Sequence, residues 1–131
     1  MTEIHTTTAV LRSSERVIAG TTVVALSGEI DLFTAQALSA RLDILTAGPH
    51  PDLVLDLRAV SFVDCAGLSV LCRARNRTAA GGGRLRFVTR NTRFLRILRY
   101  ARLSGVFEIH AGLPNALAAG PDSGGTSATA G

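Results

Sequence analysis

Residues 52–57 (DLVLDL) form an almost continuous apolar run. Such a run predicts a strand that is covered on both faces, as in the interior of a parallel sheet with helices on its two sides. Residues 60–63 extend or follow this strand. Four further segments have strand signals: residues 7–12, 21–27, 84–89 and 106–109. The pattern therefore predicts a sheet built around one deeply buried strand.

Segments with helical periodicity separate these strands. Ala35, Leu38, Leu42 and Leu45 recur at the spacing of one helix face, and a Gly-Pro pair ends that helix. Asn91 is a suitable N-cap for a third helix. Strands that alternate with helices through short connections are typical of an α/β domain with a largely parallel sheet, here packed with about four helices. The apolar face of the second helix comprises Gly67, Val70, Leu71, Ala74 and Thr78.

The length of 131 residues favours a single domain. We predict a flexible N-terminus over residues 1–8, one domain over residues 9–119 and a disordered tail over residues 120–131. The tail consists mainly of Gly, Ser, Thr and Ala, with no large apolar side chain to bury. The first residues lack the basic region of a signal peptide, and no apolar run is long enough to span a membrane. We therefore expect a cytoplasmic protein.

The basic residues are all arginine, and they are unevenly distributed. Ten of the 14 lie within residues 65–102, which contain no acidic residue, whereas residues 1–64 hold four arginines and eight acidic residues. The absence of lysine fits GC-rich coding, but the polarity favours an acidic partner. Nucleic acid is the less expected alternative, because no groove-reading motif accompanies the charge. Four arginines of the third helix form either a solvated face or a docking patch for an acidic partner: Arg93, Arg96, Arg99 and Arg102.

Residue types that carry catalysis or bind metals are present but not grouped. Three histidines are scattered, and neither cysteine has a partner at metal-ligand spacing. The glycines at positions 81–83 follow a helix and do not precede one, so they indicate a turn and not a phosphate loop. Asp31, Asp56 and Asp64 could supply a carboxylate pair, but no nucleophile or base accompanies them. We therefore expect a protein that is not an enzyme and that uses no metal or cofactor.

The most informative segment is VSFVDCAGLSVL at positions 60–71. A strand ends at Val63, the carboxylate of Asp64 follows, and a helix begins among small residues. The start of a helix has free backbone N–H groups and a partial positive charge. Small residues there leave the surface open to a partner or a phosphate, although a capping turn explains residues 64–67 equally well.

Three blocks of the sequence resemble the STAS domain of bacterial anti-sigma factor antagonists: LSGEIDLFTAQAL, VLDLRAVSFVDCAGLSVL and NTRFLRILRYARLSGVFEI. They stand in the expected order, and the resemblance covers about residues 9–117. It implies a mixed sheet packed with helices and a function of binding, not catalysis. Such proteins bind an anti-sigma factor, usually a small ATP-dependent kinase, and thereby release the sigma factor that regulates transcription.

The phosphorylation motif of this family is altered here. The usual Asp-Ser-Ser-Gly motif, in which the kinase phosphorylates the second Ser, matches Asp64, Cys65, Ala66 and Gly67. Asp31 matches the acidic residue that lies beside that site. Because Ala66 has no hydroxyl, the resemblance implies that phosphorylation at this position does not control binding.

Other residues near the motif are weaker candidates for a switch. Ser61 and Ser69 lie in the strand and within the helix, so neither is an obvious replacement for the missing hydroxyl. Cys65 is a candidate, because a helix N-terminus favours a reactive thiolate, although the neighbouring Asp64 opposes it. A disulfide to Cys72 is implausible, since seven helical residues separate the two by about 10 Å along the axis. We expect an antagonist that is always competent to bind or one that is modulated by redox chemistry at Cys65.

The resemblance places the partner-binding surface in two segments, the loop after residues 21–27 and the start of the second helix. Antagonism is then a competition for the anti-sigma factor. The alternative keeps the fold and places it in another assembly, such as a stressosome-like complex or a lipid transporter. A weak homodimer is left open, and no contact with a membrane or direct contact with nucleic acid is expected. The surface comprises Ile30, Asp31, Leu32, Phe33, Asp64, Cys65, Ala66, Gly67, Leu68 and Ser69.

Overall fold

The computed structural model describes residues 2–5 and 10–118, in which six strands and four helices are present. The strands are β1 (Thr2–His5), β2 (Val10–Ile18), β3 (Thr21–Ile30), β4 (Asp52–Val63), β5 (Arg84–Val88) and β6 (Glu108–His110). The helices are α1 (Ala35–Leu45), α2 (Cys65–Ala80), α3 (Thr92–Tyr100) and α4 (Leu113–Ala118).

The strands form one mixed sheet in the order β1-β2-β3-β4-β5-β6. β1, β2 and β3 pair antiparallel, whereas β3, β4, β5 and β6 pair in parallel. A helix connects each pair of parallel strands, because parallel pairing requires a crossover and not a tight turn. The predicted α/β fold with a mixed, largely parallel sheet is confirmed.

β4 is a deeply buried strand, as predicted for residues 52–57. Leu53, Val54 and Leu55 are at most 1% exposed, because packed side chains cover both faces of the sheet around them. Residues 60–63 continue the same strand, which is 12 residues long. The pairing of β4 with β3 shifts register twice, and at each shift β4 contains one residue more than β3, as in a β-bulge. The extension carries the chain to the edge of the sheet where the candidate site begins.

Two hydrophobic clusters lie on opposite faces of the sheet. The larger cluster joins the strands to α1, α2 and α3, and the smaller one packs Val23, Val54 and Val88 under α4. All five residues predicted for the inner face of α2 are buried. Three of the four predicted on α1 are buried, while Leu45 at the helix end is only partly so. The predicted glycine turn is present, and Gly82 has a φ of +72°.

The strand predicted at residues 7–12 is displaced in the structure. β2 spans Val10–Ile18 and forms a hairpin with β3. Ala19 and Gly20 both have positive φ, at 52° and 84°, as in the two-residue turns that match the twist of a hairpin. Most of β2 was missed because the polar residues 13–16 interrupt its apolar pattern. Pairing with β3 outweighs the weak local signal.

The predicted ends of the chain are corrected in part. Residues 1–8 were predicted as a flexible segment, but Thr2–His5 form β1 and pair with β2. The outer edge of β2 has backbone groups that a short segment can pair with, whatever its composition. Residues 1 and 6–9 and the predicted tail over residues 120–131 lie outside the described residues. β6 spans Glu108–His110 and not residues 106–109, and α4 supplies a fourth helix whose residues the sequence pattern did not identify.

Candidate functional site

The predicted site lies where β3 and β4 end side by side. Ile30, the last residue of β3, is paired with Val63, the last residue of β4. The backbone N–H of Asp64 donates to the carbonyl oxygen of Ile30 at 3.1 Å and extends this contact beyond the sheet. The loop after β3 and the first turn of α2 therefore meet at the carboxyl edge of parallel strands, where α/β proteins commonly bind their ligands.

The carboxylate of Asp64 links these two segments. Its Oδ1 accepts a hydrogen bond from the backbone N–H of Gly67 at 2.8 Å, which caps the N-terminus of α2. Its Oδ2 accepts a hydrogen bond from the backbone N–H of Leu32 at 3.0 Å. One side chain thus satisfies an otherwise unpaired N–H of the helix and holds the neighbouring loop against it.

Gly67 allows the first turn of α2 to approach β3 closely. A Cβ atom at this position would lie 2.4 Å from the carbonyl oxygen of Ile30 and 2.8 Å from its Cγ2 atom. Real Cβ atoms do not approach a backbone oxygen so closely, so any larger residue must push the helix away from the strand. Glycine is therefore required by packing at the base of the site.

Asp31 shapes the loop between β3 and α1. Its Oδ1 accepts hydrogen bonds from the backbone N–H groups of Phe33 and Thr34 at 2.9 and 3.1 Å. The hydroxyl of Thr34 donates to the carbonyl oxygen of Glu29 at 2.9 Å. In the resulting turn the apolar side chains of Leu32 and Phe33 are 69% and 57% exposed. Asp31 thus has a local structural role that presents two large apolar residues to solvent.

The structure brings the ten predicted residues together but does not expose all of them. Ile30 and Gly67 are buried, so these two position the site and have no side chain available for a partner. This corrects the prediction for both residues, because their size and burial serve the packing of α2 on β3. The exposed members are Leu32, Phe33, Cys65 and Ser69, and the half-buried members are Asp31, Asp64, Ala66 and Leu68.

The hydroxyl groups nearest to Ala66 in the sequence are both engaged with the backbone. The Oγ of Ser61 donates to the carbonyl oxygen of Gly28 at 3.2 Å. The Oγ of Ser69 donates to the carbonyl oxygen of Cys65 at 3.0 Å, within α2. Ala66 is the second residue of α2 and is half-buried. Neither serine stands at the helix start, where the family motif places its hydroxyl.

The two cysteines differ in their surroundings. Both thiols are free, with Cys65 exposed and Cys72 half-buried, and both line one shallow surface depression along α2. Burial raises the pKa of the Cys72 thiol, so its reactive thiolate form is disfavoured. Of the two, Cys65 is the more accessible to an oxidant or an alkylating reagent.

Ion pairs hold the outer part of α2 to α1. The guanidinium of Arg73 donates two hydrogen bonds to the carboxylate of Asp43, at 3.0 and 2.9 Å. Arg77 donates to the Thr46 hydroxyl at 2.9 Å and to the Asp43 carbonyl oxygen at 3.1 Å. The hydrogen bond from Arg73 is the main cause that holds the pKa of Asp43 below its ordinary value. The arginines at 73 and 77 therefore have internal partners.

The carboxylates singled out from the sequence do not form one cluster. Asp56 pairs with Arg58 through hydrogen bonds of 2.9 and 2.7 Å. Burial alone would raise the pKa of Asp56, but the bonds from Arg58 outweigh it and the pKa is lowered. Within residues 2–5 and 10–118, no three His, Cys, Asp or Glu side chains are grouped closely enough to hold a metal ion. In the same residues, no helix is long and apolar enough to cross a membrane.

A groove beside the site was not identified from the sequence. It has a volume of about 110 Å³ and lies between the end of β4 and α3. Leu57, Val60 and Phe62 line it from β4, and Phe94 and Ile97 line it from α3. Phe62 is 50% exposed and Ile97 is 39% exposed, so the groove is an apolar opening in the surface. The signal that could have identified the groove from the sequence is Phe62, an aromatic residue at an outward-facing position near the end of β4.

The model of the STAS domain family matches residues 12–116 of this chain. Among curated proteins, the anti-sigma-F factor antagonist RsfB of Mycobacterium tuberculosis (strain CDC 1551 / Oshkosh) is 42% identical over 52 residues. These residues are 40% of this chain and 43% of that relative, so the match spans less than half of its length.

Solved structures extend the similarity over the whole domain. The crystal structure of an anti-sigma factor antagonist from Mycobacterium paratuberculosis is 31% identical, with a TM-score of 0.74, and the match covers 82% of this chain and 91% of that one. A protein from Thermotoga maritima shares the fold with a TM-score of 0.72 at 18% identity, over 80% of this chain and 91% of that one. The resemblance noted from the sequence is confirmed, and this chain belongs to the STAS domain family.

Proposed function

We propose that this protein is an anti-sigma factor antagonist that binds an anti-sigma factor of the ATP-dependent kinase type and competes with its sigma factor. The observation that carries the proposal is the carboxylate of Asp64, which joins the first turn of α2 to the loop after β3. The anti-sigma factor antagonist from Mycobacterium paratuberculosis, to which the chain is similar over most of its length, supports the same role. The protein acts by binding and not by catalysis.

The proposed contact surface combines apolar anchors with small residues. Leu32 and Phe33 are large, apolar and exposed, and such residues commonly supply most of the binding energy of an interface. Beside them, the start of α2 presents Cys65 and Ser69, which leave room for a partner to approach the helix. Because Asp64 holds the two segments together, the surface needs little ordering when a partner binds.

Binding is proposed to be independent of phosphorylation at position 66, since alanine has no hydroxyl. Intact-mass analysis after incubation with the cognate kinase and ATP should show no added phosphate. A stoichiometric phosphate on the wild-type chain, mapped to Ser61 or Ser69, would contradict this part of the proposal.

The first experiment is a pull-down from the source cells with the tagged full chain, with and without reductant, followed by mass spectrometry. Recovery of a kinase-type ATPase without its sigma factor is the expected result. Recovery of other STAS proteins or transporter subunits, and no anti-sigma factor, would favour the alternative assembly.

The second experiment locates the surface on the recovered anti-sigma factor by calorimetry. Ala66→Asp adds a negative charge in the first turn of α2, as a phosphate would, and should weaken binding at least tenfold. The helix dipole favours an acidic residue there, so the variant is expected to fold. Asn115→Asp is the control, because it adds the same charge at an exposed position of α4, which packs on the other face of the sheet. Equal affinities for the wild type and Ala66→Asp would show that the surface lies elsewhere.

Redox modulation is proposed at Cys65, the exposed thiol of the surface. A mixed disulfide or an alkyl group on this sulfur adds bulk at the helix start and should reduce affinity for the anti-sigma factor. Cys72→Ser isolates Cys65 for this test, and Cys65→Ser serves as the insensitive control. Alkylation of the Cys72→Ser variant that leaves the affinity unchanged would remove Cys65 as a switch.

A further inference from the structure

Five arginines in and around α3 have no ion-pair partner within the part of the chain that the structure describes. They are Arg90, Arg93, Arg96, Arg99 and Arg102, and all are exposed. No acidic residue occurs between positions 65 and 102, so no neighbour in the sequence offsets their charge. A cluster of charges of one sign attracts partners of the opposite sign.

The apolar groove opens beside Arg93, one member of this cluster. Phe94 and Ile97 line it from α3, and Arg93 lies at its border on the same helix. Its volume is about 110 Å³, whereas an apolar cavity of roughly 150 Å³ holds a benzene molecule. The groove is smaller than such a cavity, so its size suits one aliphatic side chain better than an aromatic ring. An apolar groove with a positively charged border is complementary to an acidic peptide that carries an apolar side chain.

We propose that α3 and this groove bind an acidic peptide segment, with one large apolar side chain in the groove and its carboxylates facing the arginines. Charge complementarity identifies the occupant, because carboxylates can pair with arginines that have no ion-pair partner among the described residues. Nucleic acid fits less well, since phosphates can pair with the arginines but supply no aliphatic side chain for the groove. The proposal does not depend on the role of Asp64 and the start of α2.

The two parts of the surface should contribute differently. The exposed arginines act over distance and chiefly accelerate association, an effect that salt screens. The groove removes an apolar side chain from water and chiefly slows dissociation. We therefore expect salt to weaken binding through the association rate, and loss of the apolar side chain to weaken it through the dissociation rate.

Selection of random 12-residue peptides displayed on phage, with the immobilised full chain as the target, tests the proposal. The enriched peptides should carry net negative charge and share one Leu, Ile, Val or Met at a fixed position. No enrichment, or enrichment of neutral or basic peptides, would contradict the proposal.

A fluorescein-labelled copy of the best acidic peptide then serves as the probe in anisotropy titrations. Arg93→Glu should weaken binding by about tenfold or more, because it replaces attraction by repulsion at the groove. The variant is expected to fold, since a glutamate in the first turn of α3 is favoured by the helix dipole. Arg75→Glu is the matched control, because it changes the net charge equally on α2; its affinity should stay within about twofold of the wild type.

Three further binding measurements test the separate parts of the proposal. A peptide with its apolar residue replaced by Ser should bind several-fold more weakly, and equal binding would overturn the role of the groove. A single-stranded oligonucleotide of equal charge that competes better than the peptide would make this surface a nucleic-acid site instead. Ala66→Asp should bind the peptide normally, so failure here and failure of the anti-sigma factor surface can be told apart.

Discussion

α2 and α3 are both arginine-rich helices that follow a parallel strand, but their polar side chains make different contacts. On α2, Arg73 and Arg77 bond to residues of α1 or to the loop after it, and the Asp64 cap reaches across to the loop after β3. On α3, the Asn91 cap accepts hydrogen bonds only from its own helix, at the N–H groups of residues 93 and 94, and the arginines have no acidic partner in the described residues.

The difference shows that the charge of a segment does not determine its role. Each of the two helices contains three arginines, yet among the described residues only those of α2 have an aspartate of a neighbouring helix, Asp43, within reach. The side chains of Arg73 and Arg77 stabilise the packing of α2 on α1, whereas the arginines of α3 have no ion-pair partner among the described residues. We expect substitutions of Arg73 and Arg77 to change stability and substitutions of the arginines of α3 to change binding.

The largest effect is expected for Gly67→Ala, which should destabilise the fold by about 3 kcal/mol or more because the new Cβ collides with the backbone of β3. Gly105→Ala is the control, since nothing lies within 4 Å of a Cβ atom at that position. Chemical denaturation measures both. Similar unfolding free energies for the two variants would mean that α2 is not held closely against β3.

A smaller effect on stability is expected when either of the two helix caps is removed. Asp64→Ala and Asn91→Ala should each cost about 1 to 2 kcal/mol of unfolding free energy, with Asp64 the larger because it also bonds to the loop after β3. Hydrogen exchange distinguishes them further. The amide of Leu32 should exchange faster in Asp64→Ala and at the wild-type rate in Asn91→Ala. Unchanged exchange in both variants would argue against the bridging role of Asp64.

The smallest effect concerns acid stability. The pKa of Asp43 in the folded protein lies below its ordinary value of 3.8, chiefly through the hydrogen bond from Arg73. Its ion pairs therefore stabilise the fold above that value, and this contribution is lost as the pH falls through the folded pKa. We expect the Tm of Asp43→Asn to fall less steeply than that of the wild type below about pH 4.

Arg96→Gln is the control for the acid measurement, because the described residues offer Arg96 no acidic partner. Its Tm should follow the wild-type pH profile in parallel. A steeper or flatter profile for Arg96→Gln would reveal a carboxylate near α3 and would weaken the contrast between the two helices. The effect at Asp43 is expected to be small, since exposed ion pairs contribute little to stability.

Local patterns in the sequence predicted much of the fold. The apolar run of β4, the inner face of α2 and the Asn91 cap were all found from residue spacing, because burial and capping leave periodic or positional signals. β2 and α4 were missed or displaced. β2 has a polar centre and depends on pairing with β3, and α4 is six residues long and depends on the sheet beneath it.

The sequence by itself determined the family, the fold class, the positions of β4, α1 and α2, and the absence of a hydroxyl at position 66. These follow from the identity and spacing of residues along the chain. Only the tertiary structure decided that Ile30 and Gly67 are buried, that Asp64 bridges two segments, and that an apolar groove lies beside Arg93, which has no ion-pair partner among the described residues. The physical reason is that burial, hydrogen bonding and ion pairing depend on which distant residues become neighbours, and this is established only when the chain has folded.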